Sequence, residues 1–302
     1  ASASVANAGI TWDAGEWTVD MNGNVNAFAV YSDANDSSAA VGALTATQTA
    51  GDANKESFAI QTGLLPSWLG FTATTRQNDI DTSVTISFQP GTGGNSALTG
   101  GGSNAAGTEN RQAFLTFGDK SWGSVKVGKD LGIFASTAIL NDMTLLGVGA
   151  TGGTVGNGVG TDAASTSTTL GGIGTGYLYA DWKGQIAYTT PNMNGLSATL
   201  GITQPWNSGG SSTGTTDNFA YEAQVSYSWT GDFAGKVWGG AFSQDVTGIG
   251  AANTESDATA FEVGVSTSIY NINLVAYGYS GEGVGTTGML VQGFDANGSK
   301  RD

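Results

Sequence analysis

The sequence predicts an all-β chain that crosses a membrane as an antiparallel up-and-down β-barrel, and three observations carry that prediction. Segment after segment alternates apolar and polar residues with a period of two, and the polar face is too wet for a packed core. No run approaches the roughly 18 apolar residues of a spanning helix, and the mean hydropathy is -0.08. A barrel whose lipid-facing and lumen-facing residues alternate averages out in this way. The third observation is the stretch from Arg111 to Gly176, where a strand, a tight turn and a second strand lead into a loop over residues 131–176. Structureless loops beyond about 15 residues are uncommon in compact domains, but inside a water-filled barrel such a loop can fold back on the wall and narrow the lumen.

Composition removes whole classes of function. With 302 residues, 49 Gly, 4 Pro and 12% charged residues, the chain resembles neither an ordinary soluble enzyme nor a charge-rich disordered segment. It has no Cys and no His. That takes away disulfides, the usual general base, the Ser–His and Cys–His nucleophile pairs and most transition-metal sites. No enzyme activity, no cofactor and no metal is expected. Ten basic against 25 acidic residues give a net charge of -15, which repels nucleic-acid phosphates. A nucleic-acid partner is excluded on that ground.

In chain order, residues 1–8 (ASASVANA) carry Ala6 and Ala8 in the A-x-A arrangement that a signal peptidase needs. They read as the tail of a signal peptide, a flexible Ala-rich tail being the alternative, with the barrel over 9–302. From Trp17 to Asp33, Val19, Met21, Val25, Ala27 and Ala29 share one face, and Thr18, Asp20, Asn22 and Asn24 the other. A second strand follows at SFAIQTGLL, residues 57–65. The stretch 67–90 changes its apolar face near Asn78–Asp81, which fits a hairpin turning at Asn78–Asp79 or one long strand bent by a bulge. Alternation of short inner turns with long outer loops selects the bent strand. Beyond the long loop, strands follow at 177–190, 196–203, 221–229, 236–244, 261–269 and 274–279, and MLVQGF at 289–294 reads as a last one. About twelve strands result. Trp17, Tyr31, Trp68, Trp182, Trp206, Trp229 and Tyr279 lie near strand ends, where interfacial aromatic girdles form.

Two segments carry a family resemblance. RQAFLTFGDKSWGSVKVGKD (111–130) is similar to the segment of Gram-negative general porins that leads into their inward-folded third loop, and AYTTPNMNGLSATLG (187–201) resembles the strand, turn and strand that follow it. The resemblance implies an outer-membrane barrel of nominally sixteen strands, with the closing C-terminal strands missing from this chain. It implies localisation in the outer membrane, contact with its lipid and lipopolysaccharide, a homotrimer, and passive passage of ions and small hydrophilic solutes.

It also implies a constriction at which basic wall residues face acidic groups on the loop. Lys129 stands where the family motif carries an Arg. Arg76 shares the polar face of its strand with Thr72 and Thr74, and Lys126 is a third candidate whose facing stays open. On the loop the candidate is Asp142, set among Ile139, Leu140, Met143, Leu145 and Leu146. The loop is thus more apolar than the family's. Those side chains either anchor it to the wall or make a partly apolar eyelet, the mark of a substrate-selective channel. Glu222, Glu262 and Asp20 are expected to line the lumen, and the sparse basic set points to cation preference. A secreted or cell-surface β-rich adhesin would share the Gly, Ser and Thr bias, but it should show a fixed short repeat, and the sequence has none.

Overall fold

The structure, a computed structural model, describes residues 9–33, 56–61, 63–90, 108–147, 172–206, 218–249, 254–270, 272–295 and 297–301. The first part comprises β1 (Ile10–Ala14), β2 (Trp17–Asn24), β3 (Phe28–Asp33), β4 (Glu56–Gln61), β5 (Trp68–Gln77), β6 (Ile80–Pro90) and β7 (Thr108–Glu109). Then come β8 (Ala113–Asp119), β9 (Gly123–Leu131), the one-turn helix α1 (Ser136–Leu140), β10 (Trp182–Thr189) and β11 (Leu196–Thr203). The last are β12 (Ala220–Trp229), β13 (Gly235–Ile249), β14 (Thr254–Ile269) and β15 (Ile272–Glu282).

Thirteen strands form one antiparallel sheet, ordered β1-β2-β5-β6-β8-β9-β10-β11-β12-β13-β14-β15 with β7 beside β6, and β3 and β4 form a separate hairpin. Each wall strand neighbours the one that follows it in the wall, as an up-and-down meander requires. The connections 15–16, 78–79, 120–122, 190–195 and 230–234 are all short and leave from one end, whereas those after β2, β6, β9 and β11 leave from the other. The wall is an open sheet, because β1 and β15 do not pair with each other among the described residues.

Period-two alternation sorts the side chains. On β12, Tyr221, Val225 and Tyr227 are exposed, while Glu222 between them is 1% exposed. On β14, Phe261 is 65% exposed and Glu262 is buried. A water-soluble protein would place these the other way round. Apolar outside and polar inside is the arrangement of a wall that faces lipid. Among the described residues no helix is long and apolar enough to cross a membrane; the strands provide the crossing.

The run from Trp17 to Asp33, expected as one long strand, is broken after Asn24 into β2 and β3 of different sheets, and three further sequence expectations need correction. Residues 68–90 form the hairpin β5–β6, with register Leu69↔Phe88 to Gln77↔Ile80. Asn78 and Asp79 take φ values of 49° and 61°, the left-handed pair that a tight two-residue hairpin turn requires. The bent-strand reading failed because it counted residues 57–65 as wall, whereas β3 and β4 pair only with each other, which restores the alternation of turns and loops. Second, the wall begins with β1, residues the sequence reading left out. Third, MLVQGF is no strand. Met289, Leu290 and Gln292 have positive φ, and Leu290 and Phe294 are buried, so the segment coils inward on itself instead of extending the wall.

Candidate functional site: a loop tied across the inner face

The inner-face parity of β10, β11, β12 and β14 presents Lys183, Thr203, Glu222, Gln224 and Glu262 to one region. There the chain leaving β9 meets the wall. Glu222 Oε2 accepts the backbone N–H groups of Ile133 (2.7 Å) and Phe134 (2.8 Å). Its Oε1 accepts the Thr203 hydroxyl at 2.9 Å and the Lys183 ammonium. Glu262 Oε1 accepts the Ala135 N–H at 3.2 Å, and its Oε2 accepts the Tyr277 hydroxyl at 2.8 Å. Ala135 is left-handed, with φ 63°; successive N–H groups in such a turn converge and make a cradle for negative charge. Thr137 adds a bond to Gln224 Oε1 at 2.8 Å. A Cβ at Gly240, between the strands of Gln224 and Glu262, would lie 2.6 Å from Glu262 Oε1, so any larger residue there would have to displace that carboxylate.

The Lys183–Glu222 pair is fully buried. A charge pair out of water is tolerated only when every remaining bonding site is filled. Here Glu222 has four donors, and the Lys183 ammonium lies 4.2 Å from the Trp206 ring centroid and 5.1 Å from that of Phe242. Trp206, expected in an interfacial girdle, is therefore an interior residue, 2% exposed.

Farther along, Asp142 holds the two limbs of the loop together. Its Oδ1 accepts from Thr144 N–H (2.8 Å) and Thr144 Oγ1 (2.6 Å), and its Oδ2 from Gly172 N–H (3.0 Å) and the Tyr177 hydroxyl. Burial pushes the carboxyl pKa up, but the bonds from Thr144, Tyr177 and Gly172 outweigh it and hold the group below the usual carboxylate range. Gly147 O then accepts the N–H of Leu64, just ahead of β5, at 2.8 Å. In the sheet β5 and β12 are six strand steps apart, roughly 30 Å of wall at ordinary strand spacing. A segment bonded at both places runs across the inner side. Its return limb is held by Tyr179 N–H donating to Thr287 O at 2.8 Å.

An apolar cluster fills the space between the loop and β13–β14: Phe134, Ala138, Ile139, Leu178, Phe242 and Val246, joined by Leu290 and Phe294. The other half of the inner face is polar. Asn22 accepts the Trp68 indole N–H at 3.1 Å, and Thr72 and Thr85 share a hydroxyl bond at 3.0 Å. Between the loop and β8–β12 lies a recess of about 360 Å³, lined by Gln112, Lys126, Asp130 and Gln185 on the wall and by Ile133 and Leu140 on the loop.

The residues singled out in the sequence fall in different places. Lys129 shares the outer face of β9 with Val125 and Val127, opposite Gly184, and is exposed. Its expected place at the constriction came from the family motif; the parity of SVKVGKD puts Lys126 and Asp130 inside instead. Lys126 pairs with Asp130 and lies 4.9 Å from the Phe114 ring centroid. Arg76 faces inward at the turn end of the sheet, bonded to Asp81 (2.7 Å) and Asp119 (2.9 Å) beside a recess of about 750 Å³. Asp20 is on the inner face of β2 and accepts from Asn22 at 2.6 Å. Glu222 and Glu262 are inside but covered by the loop. Asp142 meets none of the three basic candidates. Lys183 and Gln185 were missed, although WKGQIAY alternates them with Ile186 and Tyr188 and so marks them as inward.

A family model for Gram-negative porins matches residues 1–298. The chain belongs to the Gram-negative porin family. Among solved structures, the outer membrane channel DcaP of Acinetobacter baumannii is similar over 91% of this chain and 67% of its own, with 14% identity and a TM-score of 0.55; it shares the fold. A loop-deletion mutant of the outer membrane protein OmpT of Vibrio cholerae matches over 89% and 70%, with 14% identity and a TM-score of 0.47. Among curated proteins none matches. This porin is an outer-membrane protein and a channel for passive diffusion, and the tied loop crosses the inner face of its wall.

Proposed function

We propose that ions and small hydrophilic solutes pass between the tied loop and the polar half of the wall, with cations preferred, and that no chemical step accompanies passage. The observation that carries this reading is the bonding of three consecutive N–H groups, Ile133 to Ala135, to the wall carboxylates Glu222 and Glu262. It fixes the loop across the inner face, so that whatever passes must skirt it. Cation preference rests on the polar half of the wall, where Asp20 on β2 and Glu16, Asp81 and Asp119 around the turn-end recess stand against Arg76 and Lys120, with Lys126 matched by Asp130. A homotrimer embedded in outer-membrane lipid and lipopolysaccharide is the assembly proposed, on family membership. Reversal potential in a salt gradient across a planar bilayer tests the preference: cations should carry the larger share of the current, and an anion-dominated current overturns it.

A further inference from the structure

The loop that narrows this channel brings almost no charge to it. Asp142 is its one acidic group among the described residues of 132–147, and that carboxylate is taken up by four donors from the loop itself. The exposed residues of this stretch are all hydrocarbon. Leu140 is 63% exposed, Met143 98% and Leu146 43%, while Ile139 beside them is buried in the cluster. Apolar side chains left in water on a segment with no lipid to meet bring no stability, since burial of such surface is what stabilises. Of these Leu140 lines the recess, beside Ile133, and across from it the wall presents Gln112, Gln185, Thr189, Thr199 and Gln224. Its two charges, Lys126 and Asp130, sit on one strand and cancel each other. The volume, about 360 Å³, falls in the range that small-molecule sites occupy.

We infer that this recess is a two-faced subsite for neutral amphipathic solutes, taking a ring or short hydrocarbon group against Leu140 and Ile133 and a hydroxyl or amide edge against the wall. The inference rests on the channel reading above and adds the solute class. A transverse field sorts solutes by charge; an apolar lip facing a polar ladder sorts them by whether their two sides differ. Each methylene-sized contact that leaves water contributes about 0.8 kcal/mol, roughly a fourfold change in occupancy. Preference should therefore be visible with a single aromatic ring.

The test uses the full chain in liposomes and two neutral solutes that do not cross bilayers unaided, phenyl β-glucoside and maltose. Swelling should be several-fold faster with phenyl β-glucoside, and the ratio should fall toward that of the bare size difference in the variant L140S. Leu140 is exposed, so the variant keeps the fold. Equal ratios in the two proteins overturn the inference while leaving the channel intact. Absence of ion current from the folded protein in a planar bilayer overturns the channel reading and the inference with it.

Discussion

The two halves of the wall share an outer face and differ on the inner one. From β2 to β8 the inner side chains are mostly short and polar and bond across the wall, as Thr72 does with Thr85 and Asn22 with Trp68, with Arg76 at the turn end. From β10 to β14 several are longer and are committed to a piece of chain that leaves the wall. Gln185 donates to Leu131 O at 2.9 Å, Gln244 both accepts from and donates to the backbone of Trp206, and Glu222 and Glu262 hold Ile133 to Ala135. A polar face inside a barrel thus has two uses. Short groups bond across the wall, and long ones fasten the loop.

Breaking the fastened half should have the largest effect. Glu222→Ala leaves the Lys183 ammonium buried without its counter-charge and frees two N–H groups, a loss of about 3–5 kcal/mol. Urea unfolding in detergent micelles should show it, together with a larger and noisier single-channel current. Adding Lys183→Met in the same chain should recover part of the stability. Phe134→Ala, at a fully buried ring, should cost about 3 kcal/mol through the cavity it leaves, with the current rising less than for Glu222→Ala because the carboxylate bonds remain. Asp142→Ala should cost less, about 1 kcal/mol once solvent screening of a partly exposed carboxylate is allowed for. Its mark should be faster protease cutting of the loop.

The Asp142 clamp also has a pH signature with a definite sign. A lowered pKa means that its contribution is fully present above the ordinary carboxylate value, about 4, and is lost only as pH falls through the group's own lower value. Burial and the bond to Asp142 raise the Tyr177 pKa, so the phenol's contribution holds below about 10 and fades only as pH rises through its raised value. Channel current should be steady from about pH 5 to pH 9 and grow noisy only in stronger acid or base; a transition near neutrality would remove Asp142 from this role. The open half should respond least. Arg76→Gln removes solvent-exposed ion pairs at the turn end, so stability should barely move in salt, and ion selectivity should shift toward cations.

The outer half of this account was legible in the sequence. Tyr221, Val225 and Tyr227 against Glu222 and Gln224 fix the facing of β12 without any neighbour, because a strand has only two faces. What each inward group bonds to was not legible. Glu222 and Ile133 are 89 residues apart, and nothing local in either segment names the other. Sequence reasoning therefore placed Glu222 and Glu262 in open water, when they are the loop's fastening points. Lys129 was lost for the opposite reason: a motif from relatives was followed where the two-residue period of its own strand pointed to Lys126. The hairpin at Asn78–Asp79 was undecidable locally, since a face switch marks a turn and a bulge alike, and only the pairing of β3 with β4 away from the wall settles it.

The claim on which the rest depends is that the loop lies in the path of the current. The chain has no Cys, so Met143→Cys gives one exposed thiol at the loop's most open apolar position, and Trp12→Cys gives a control on the outer face. Modification of Met143→Cys in an open single channel with a charged methanethiosulfonate should lower the current in a discrete step, and the same reagent on Trp12→Cys should leave it unchanged. Complete modification of Met143→Cys, verified by mass, with no change in current would contradict the account.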